Sequence, residues 1–183
     1  MLGVWNWNAT PQEIRDPLPC DSYLTGPFRT VHRAVDVAAP PSITFRWLCQ
    51  LTVAPYSYDW IDNRGRRSPD TLTPGADQLE VGKGFLIGTI LDWERDRQIS
   101  LKLTPEAARV FGPMACTYQV SPRGSDGSRV LVRLTLGVTG VWSRVRAALL
   151  AAGDLVMMRK ELLTIRAYAE RDAAAMHGGR LPA

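Results

Sequence analysis

Histidine is nearly missing from this chain: of 183 residues only His32 and His177 carry an imidazole. They lie far apart, in no HxxxH or HExxH spacing, so the sequence offers no histidine-based metal centre. Cysteine is scarce as well. Cys20, Cys49 and Cys116 are odd in number and widely separated, without a CxxC pair, which argues against a disulfide framework and for reduced thiols. Cys49 and Cys116 sit in apolar patterns with no neighbouring histidine, so neither has the setting of an activated nucleophile. Gly82-Lys83-Gly84 is too short for a phosphate loop and leads into a strand rather than a helix, so no nucleotide cofactor is expected. No stretch approaches the roughly 20 apolar residues of a membrane span. The first residues carry neither the basic region nor the apolar run of a signal peptide. The expectation is a cytoplasmic protein with no membrane span, no metal and no cofactor.

What is present is ordinary in bulk and informative in order. The hydrophobic share is 45% and the charged share 22%, typical of a globular chain large enough to bury a core and still line a cavity. The net charge of +4 is scattered. Its densest group, Arg64, Arg66 and Arg67, sits among Asp59, Asp62 and Asp70, so nucleic acid is not the expected partner.

Three segments follow from the patterning: an arm over 1–26, a body over 27–172 and a flexible tail over 173–183. Prolines and asparagines interrupt the arm, although Thr10-Pro11-Gln12-Glu13 spells a helical capping box. Trp5 and Trp7 are expected to pack the arm on the body. From Thr30 to Val37 the chain alternates as a strand, with Val31, Val35 and Val37 on one side and Arg33 among them. Pro40-Pro41 ends it and opens a short helix through Ile43, Trp47, Leu48 and Leu51. Pro55 breaks that helix, and Ser57 is placed to cap a second one through Trp60 and Ile61. After Gln78 the period changes to two. Phe85, Ile87, Leu91 and Trp93 fall on one face, followed by Ile99, Leu101 and Leu103, then Met114 to Val120, and then Val130 to Leu136 after the hairpin loop Ser121-Pro122-Arg123-Gly124-Ser125-Asp126-Gly127. Short turns between these strands imply antiparallel pairing. A long amphipathic helix from about Val141 to Arg171 closes the chain, with Leu155, Met158, Leu162, Ile165 and Ala169 at 3–4 spacing and Leu149, Val156 and Leu163 widening the arc. Gly153 inside it predicts a kink or a close approach.

A curved antiparallel sheet gripping a long helix leaves an apolar hollow between them. This layout resembles the START and polyketide-cyclase superfamily, and the residues that carry the resemblance are Val35-Asp36-Val37-Ala38-Ala39-Pro40-Pro41 and Phe45-Arg46-Trp47-Leu48. Tyr56-Ser57-Tyr58-Asp59-Trp60-Ile61-Asp62-Asn63, Pro19-Cys20-Asp21 and Asp154 with Met157-Met158-Arg159-Lys160 are similar to bacterial members. The resemblance implies an α+β helix-grip fold, a curved antiparallel sheet around a C-terminal helix with two short helices after the first strand. It also implies a small hydrophobic ligand in the hollow. Members bind lipids, sterols, polyketides or hormones, and some are aromatase/cyclases; the fold alone selects no reaction.

Several residues are candidates for the site. Tyr58 and Asp59 could exchange protons with a carbonyl substrate as acid and base, with Tyr56 and Trp60 as walls. The competing reading is packing, with Asp59 capping a helix or pairing with Arg64 or Arg67. Arg33 and Arg133, in strands whose alternation allows an inward side chain, could anchor an acid, enolate or phosphate end if each is paired. Trp93, Tyr118, Met157 and Met158 are expected along the cavity wall or in plain core. Three functions stay open: reversible binding of a hydrophobic or amphipathic metabolite; a cofactor-free cyclase, dehydratase or isomerase; and a protein-interaction module that uses the arm. Oligomeric state is not legible.

Overall fold

The computed structural model describes residues 3–63 and 65–178. Its elements run β1 (Asn6–Trp7), α1 (Pro11–Arg15), β2 (Phe28–Val37), α2 (Pro41–Cys49), α3 (Asp59–Asp62), β3 (Gly84–Phe85), β4 (Gly88–Glu94), β5 (Gln98–Leu103), α4 (Pro105–Phe111), β6 (Met114–Arg123), β7 (Gly127–Gly137) and α5 (Val141–Gly178). The strands form one seven-stranded sheet in the order β1-β2-β7-β6-β5-β4-β3. All neighbours are antiparallel except β1 and β2, which pair in parallel. The architecture is an α+β helix-grip fold in which the curved sheet holds α5.

Local chemistry explains most boundaries. Thr10 and Glu13 form the reciprocal capping box of α1. Pro41 opens α2, where its missing N–H costs no intrahelical bond. Thr104 caps α4 through the Ala107 amide, and Gly112 ends that helix at φ 81°, a conformation that favours glycine. Ser57 does not cap α3; Tyr58 holds that position without a side-chain bond.

Four sequence expectations change in the structure. Phe85, Ile87, Leu91 and Trp93 do not share a face, because β4 carries a bulge between Ile90 and Asp92. Ile87 is exposed in the turn between β3 and β4, and past the buried Ile90 the extra residue turns Leu91 outward. Helix α5 also runs on to Gly178 instead of fraying after Arg171, with Ala169 and Ala173 on its buried side. The rest of the expected tail, 179–183, lies outside the described residues. Leu149 and Val156 are exposed, so the buried apolar arc is narrower than the pattern suggested. Gly153 makes no close approach, since a Cβ there would meet nothing within 4 Å.

Strand β2 is buried on both faces. Towards α5, Val31, Val35 and Val37 join the main core. On the other face Ala34 packs with Leu131 of β7 and with Ala9, Leu18 and Cys20 of the arm. The arm is thus bound within the chain, by β1 pairing and by two buried arginines of β7. Arg129 donates to both carboxylate oxygens of Glu13, at 2.8 and 2.9 Å, and to the Asn8 carbonyl. Arg133 donates to Asp21 at 2.6 Å, to the carbonyls of Glu13 and Ile14, and to His32 Nε2 at 3.0 Å.

Arg33, next to His32 but on the opposite face, is wholly buried. It donates through Nε to Asp154 on α5 at 3.0 Å, through Nη1 to the His32 carbonyl, and through Nη2 to the carbonyls of Val4 and Ala151. One guanidinium therefore joins arm, sheet and helix. Breaking its ion pair on one side alone is costly: Asp154→Ala should lower stability by about 3 kcal/mol in urea unfolding. Arg33→Met combined with Asp154→Leu should recover most of that loss, since an apolar pair replaces a desolvated ionic one.

His32 supplies a second test. Burial first, and then the neighbouring Arg133 charge, push its imidazole down from 6.5 to about 4. Between those values the unfolded chain takes up a proton that the folded one refuses, so this residue's contribution falls as pH is lowered. His32→Gln keeps an acceptor for Arg133 and should flatten the acid side of the stability profile by up to ~3 kcal/mol, measured by urea unfolding from pH 7 to pH 4.

Candidate functional site

Along α5 the inward side chains change size. Its first half turns Ala147, Ala151 and Asp154 inward; its second half turns Met158, Leu162 and Ile165. Large side chains close the second half against the sheet and α2, where Trp47 lies 4.8 Å from Tyr168 and donates from its indole N–H to Asp172. The small ones leave space beside the first half. There a hollow of about 740 Å³ opens between α5 and strands β5, β6 and β7, and its mouth is framed by the 51–57 loop, the β3–β4 turn and Phe111.

The walls are mainly aliphatic, and three polar side chains from the grip meet them: Tyr118, Asp154 and Glu161. The buried Tyr118 hydroxyl donates to Glu161 Oε1 at 3.0 Å and lies 3.7 Å from the Met158 sulfur. Burial, and then the Glu161 charge beside it, hold this phenol well above its usual range. Asp154 presents one oxygen to Arg33, and its side chain keeps 18% exposure on the hollow side. Burial raises its carboxyl from 3.8 to about 6 even though Arg33 pulls it down. A tyrosine that donates, a carboxylate poised near neutrality and a second carboxylate can bind a polar group or exchange a proton with it. Cys116 also lines the hollow, and burial drives its thiol well above the ordinary value, as it drives Cys49 to about 12. Neither thiol is activated. Among the described residues no group of three or more His, Cys, Asp or Glu side chains could hold a metal ion.

The residues expected from the sequence are distributed as follows. Tyr118, Met157 and Met158 line the hollow. Arg33 stands behind Asp154, with all three of its nitrogens engaged by protein groups. Arg133 lies on the opposite face of the sheet, under the arm, because successive residues of a strand point to opposite sides and it pairs with His32 rather than with Arg33. Trp93 packs half-buried at the core's edge, opposite Ile99, and is not a wall of the hollow.

In the tyrosine-rich segment Ser57 and Ile61 line the hollow, whereas Tyr56, Tyr58, Asp59 and Trp60 do not. Tyr56 holds φ at 54°, a strained region for an aromatic residue, with its ring edge-on to Trp47 and Tyr168 at 6.1 and 6.2 Å. Its hydroxyl is buried without a partner among the described residues, and burial pushes it to about 12. Tyr58 is half-buried at the start of α3 and does not line the hollow. Asp59 accepts from the Ser68 amide at 2.8 Å and from the Ser68 hydroxyl, which ties off the 59–68 loop. Its suggested partner Arg64 lies outside the described residues. Trp60 points outward at 76% exposure.

Asp154 and Glu161 are the polar residues that the pattern did not single out for a role. The signal was available: they stand seven residues apart, two helical turns, on the inward stripe of α5, where a charge needs a reason.

No family model matches this chain, and no curated relative does. Solved structures do. A Mesorhizobium loti protein from a structural genomics programme is 15% identical, covering 78% of this chain and 98% of its own, with a TM-score of 0.50. A point mutant of Thalictrum flavum norcoclaurine synthase, in complex with a transition-state analogue, is 18% identical over 81% of this chain and 98% of its own, with a TM-score of 0.51. The Zhui aromatase/cyclase from Streptomyces sp. R1128 is 15% identical over 79% and 94%, at 0.49. At such identities the likeness is one of fold, and the fold is the helix grip.

Proposed function

We propose that this chain reversibly binds a small amphipathic metabolite, apolar over most of its surface, in the hollow between the sheet and α5. The observation that carries the reading is the hollow itself: about 740 Å³, aliphatic in its walls, with a few convergent polar side chains at one place. Pockets for metabolite-sized ligands have that size and that make-up. A carrier, sensor or chaperone role is consistent with it. Titrating the protein with the neutral fluorophore N-phenyl-1-naphthylamine should give saturable, single-site enhancement. Leu134→Trp, which fills part of the hollow, should weaken that binding at least tenfold while the protein still unfolds cooperatively. Absence of enhancement in the parent protein would sink the reading.

A second reading, conversion of the bound molecule without a cofactor, is favoured by one observation, the closeness of Tyr118, Glu161 and the raised Asp154 in the hollow. The acid–base pair would then be drawn from these residues and not from Tyr58 and Asp59. Native mass spectrometry of freshly purified protein, followed by extraction, would supply the natural ligand. If it is turned over, Tyr118→Phe and Glu161→Gln should each cut kcat at least a hundredfold with binding retained. Unchanged ligand after prolonged incubation leaves binding as the function.

A further inference from the structure

We propose that the mouth of the hollow docks on an anionic lipid surface, through an apolar rim flanked by arginine and lysine. Val53, Ile61, Leu86, Ile87, Phe111 and Leu149 all line the hollow and all remain exposed, Leu149 at 69%. They come from separate segments of the chain, so their meeting at one opening is a product of the fold. Helix α5 extends the patch: Trp142, at 86% exposure, and Val145 precede Leu149 by two turns and one turn on the same outward stripe. Val110 lies exposed beside Phe111. The Arg146 guanidinium occupies the place of a side chain at Gly112, so the end of α4 abuts the first turns of α5. Those turns bury Ala147 and Ala151 on their inner side, which makes this half of α5 apolar on both sides. A helix of that kind is normally covered.

Charge selects the cover. On α4 and the first turns of α5, Arg109, Arg144 and Arg146 stand against one acid, Glu106. Among the described residues these three arginines enter no ion pair. Lys83 leads into β3 on the opposite rim. After α3, Arg66 and Arg67 are exposed, and of the two acids in that helix, Asp59 and Asp62, the first is bound to Ser68. A second copy of the chain laid on this face about a two-fold axis would press the basic patch against itself. An anionic bilayer attracts it, and each cation near such a surface adds to the binding. The apolar part fits the same cover: indole and aliphatic side chains gain by entering the interface between head groups and acyl chains. Docked in this way, the mouth opens into lipid, and an apolar ligand passes between bilayer and hollow without crossing water.

The test is co-sedimentation of the full chain with vesicles of phosphatidylcholine, alone or with ~30 mol% phosphatidylglycerol. Partition onto the anionic vesicles should be at least tenfold stronger than onto phosphatidylcholine alone, and ~0.5 M NaCl should remove most of the difference. Trp142→Ala combined with Val145→Ser should weaken partition at least fivefold, and Arg144→Gln combined with Arg109→Gln should do the same on anionic vesicles only. All four positions are at the surface, so the variants keep the parent's urea midpoint. Met176→Ser, an exposed apolar change at the far end of α5, should leave partition within twofold. No partition onto either vesicle, or partition untouched by both double variants, overturns the proposal. So does a dimer in sedimentation velocity that the Trp142→Ala and Val145→Ser changes dissociate, since a second copy then covers the rim. Vesicle binding is read separately from fluorophore binding, so either result leaves the reading of the hollow to its own test.

Discussion

The buried guanidinium of Arg33 ties together three parts of the chain, the arm, strand β2 and helix α5, where they already pack on one another. Its hydrogen bonds reach the arm at Val4, its own strand at His32, and helix α5 at Ala151 and Asp154. Burying such a charge is costly, and the cost is offset only because an anion and three carbonyls surround it. The position of α5 across the sheet is thereby fixed at the point where its inward residues are small. Asp154 in turn must remain on the inward stripe, so the hollow acquires a polar end as a consequence of how the helix is held. The same interaction that stabilises the grip gives the site its chemistry.

The hollow owes its existence to a change in side-chain size along one helix. Where α5 turns Leu162 and Ile165 inward, the space to the sheet is filled, and aromatic packing of Trp47, Tyr56 and Tyr168 closes it further. Where it turns Ala147 and Ala151 inward, the Leu and Met side chains of β5, β6 and β7 wall the space without filling it. Interiors pack closely by default, so a gap of this size beside a well-packed half is a feature of the sequence rather than slack. On the far side, Gly88 lets β4 approach β5 closely, because a Cβ there would stand 2.5 Å from a Leu101 methyl and 2.7 Å from the Lys102 carbonyl oxygen. That approach brings the β3–β4 turn to the rim of the mouth.

Much of this architecture was legible in the chain itself. Alternation and turn residues located the strands, and Pro40-Pro41 located the first break, because these signals are local and carry their own geometry. The bulge in β4 was not legible: Leu91 fits either face by composition, and only the pairing with β5 decides which residue is extra. The site was legible in part. Tyr118, Met157 and Met158 followed from periodicity, but Arg133 was placed towards the ligand when it serves the arm. Strand alternation allowed an inward side chain without specifying which face the helix covers. The arm's coverage of the second face buried both sides of β2 and removed the contrast that would have told them apart. Tyr58 and Asp59 attracted notice as a dense polar–aromatic cluster, whereas Asp154 was noted only for its resemblance to bacterial members and Glu161 was a single letter in a long helix.

Strand β2 places its two most perturbed neighbours, His32 and Arg33, on opposite faces, and their environments pull on stability in opposite senses. Burial lowers the His32 imidazole to about 4, so acid weakens the arm's side of the sheet between pH 6.5 and 4. Burial raises the Asp154 carboxyl, partner of Arg33, to about 6, so the cost of holding its charge is relieved as pH falls from 6 towards 3.8. The two windows overlap and the effects have opposite sign. The net acid response is therefore the difference of two opposed contributions, one on each face of a single strand, and replacing His32 leaves the Asp154 side to act alone.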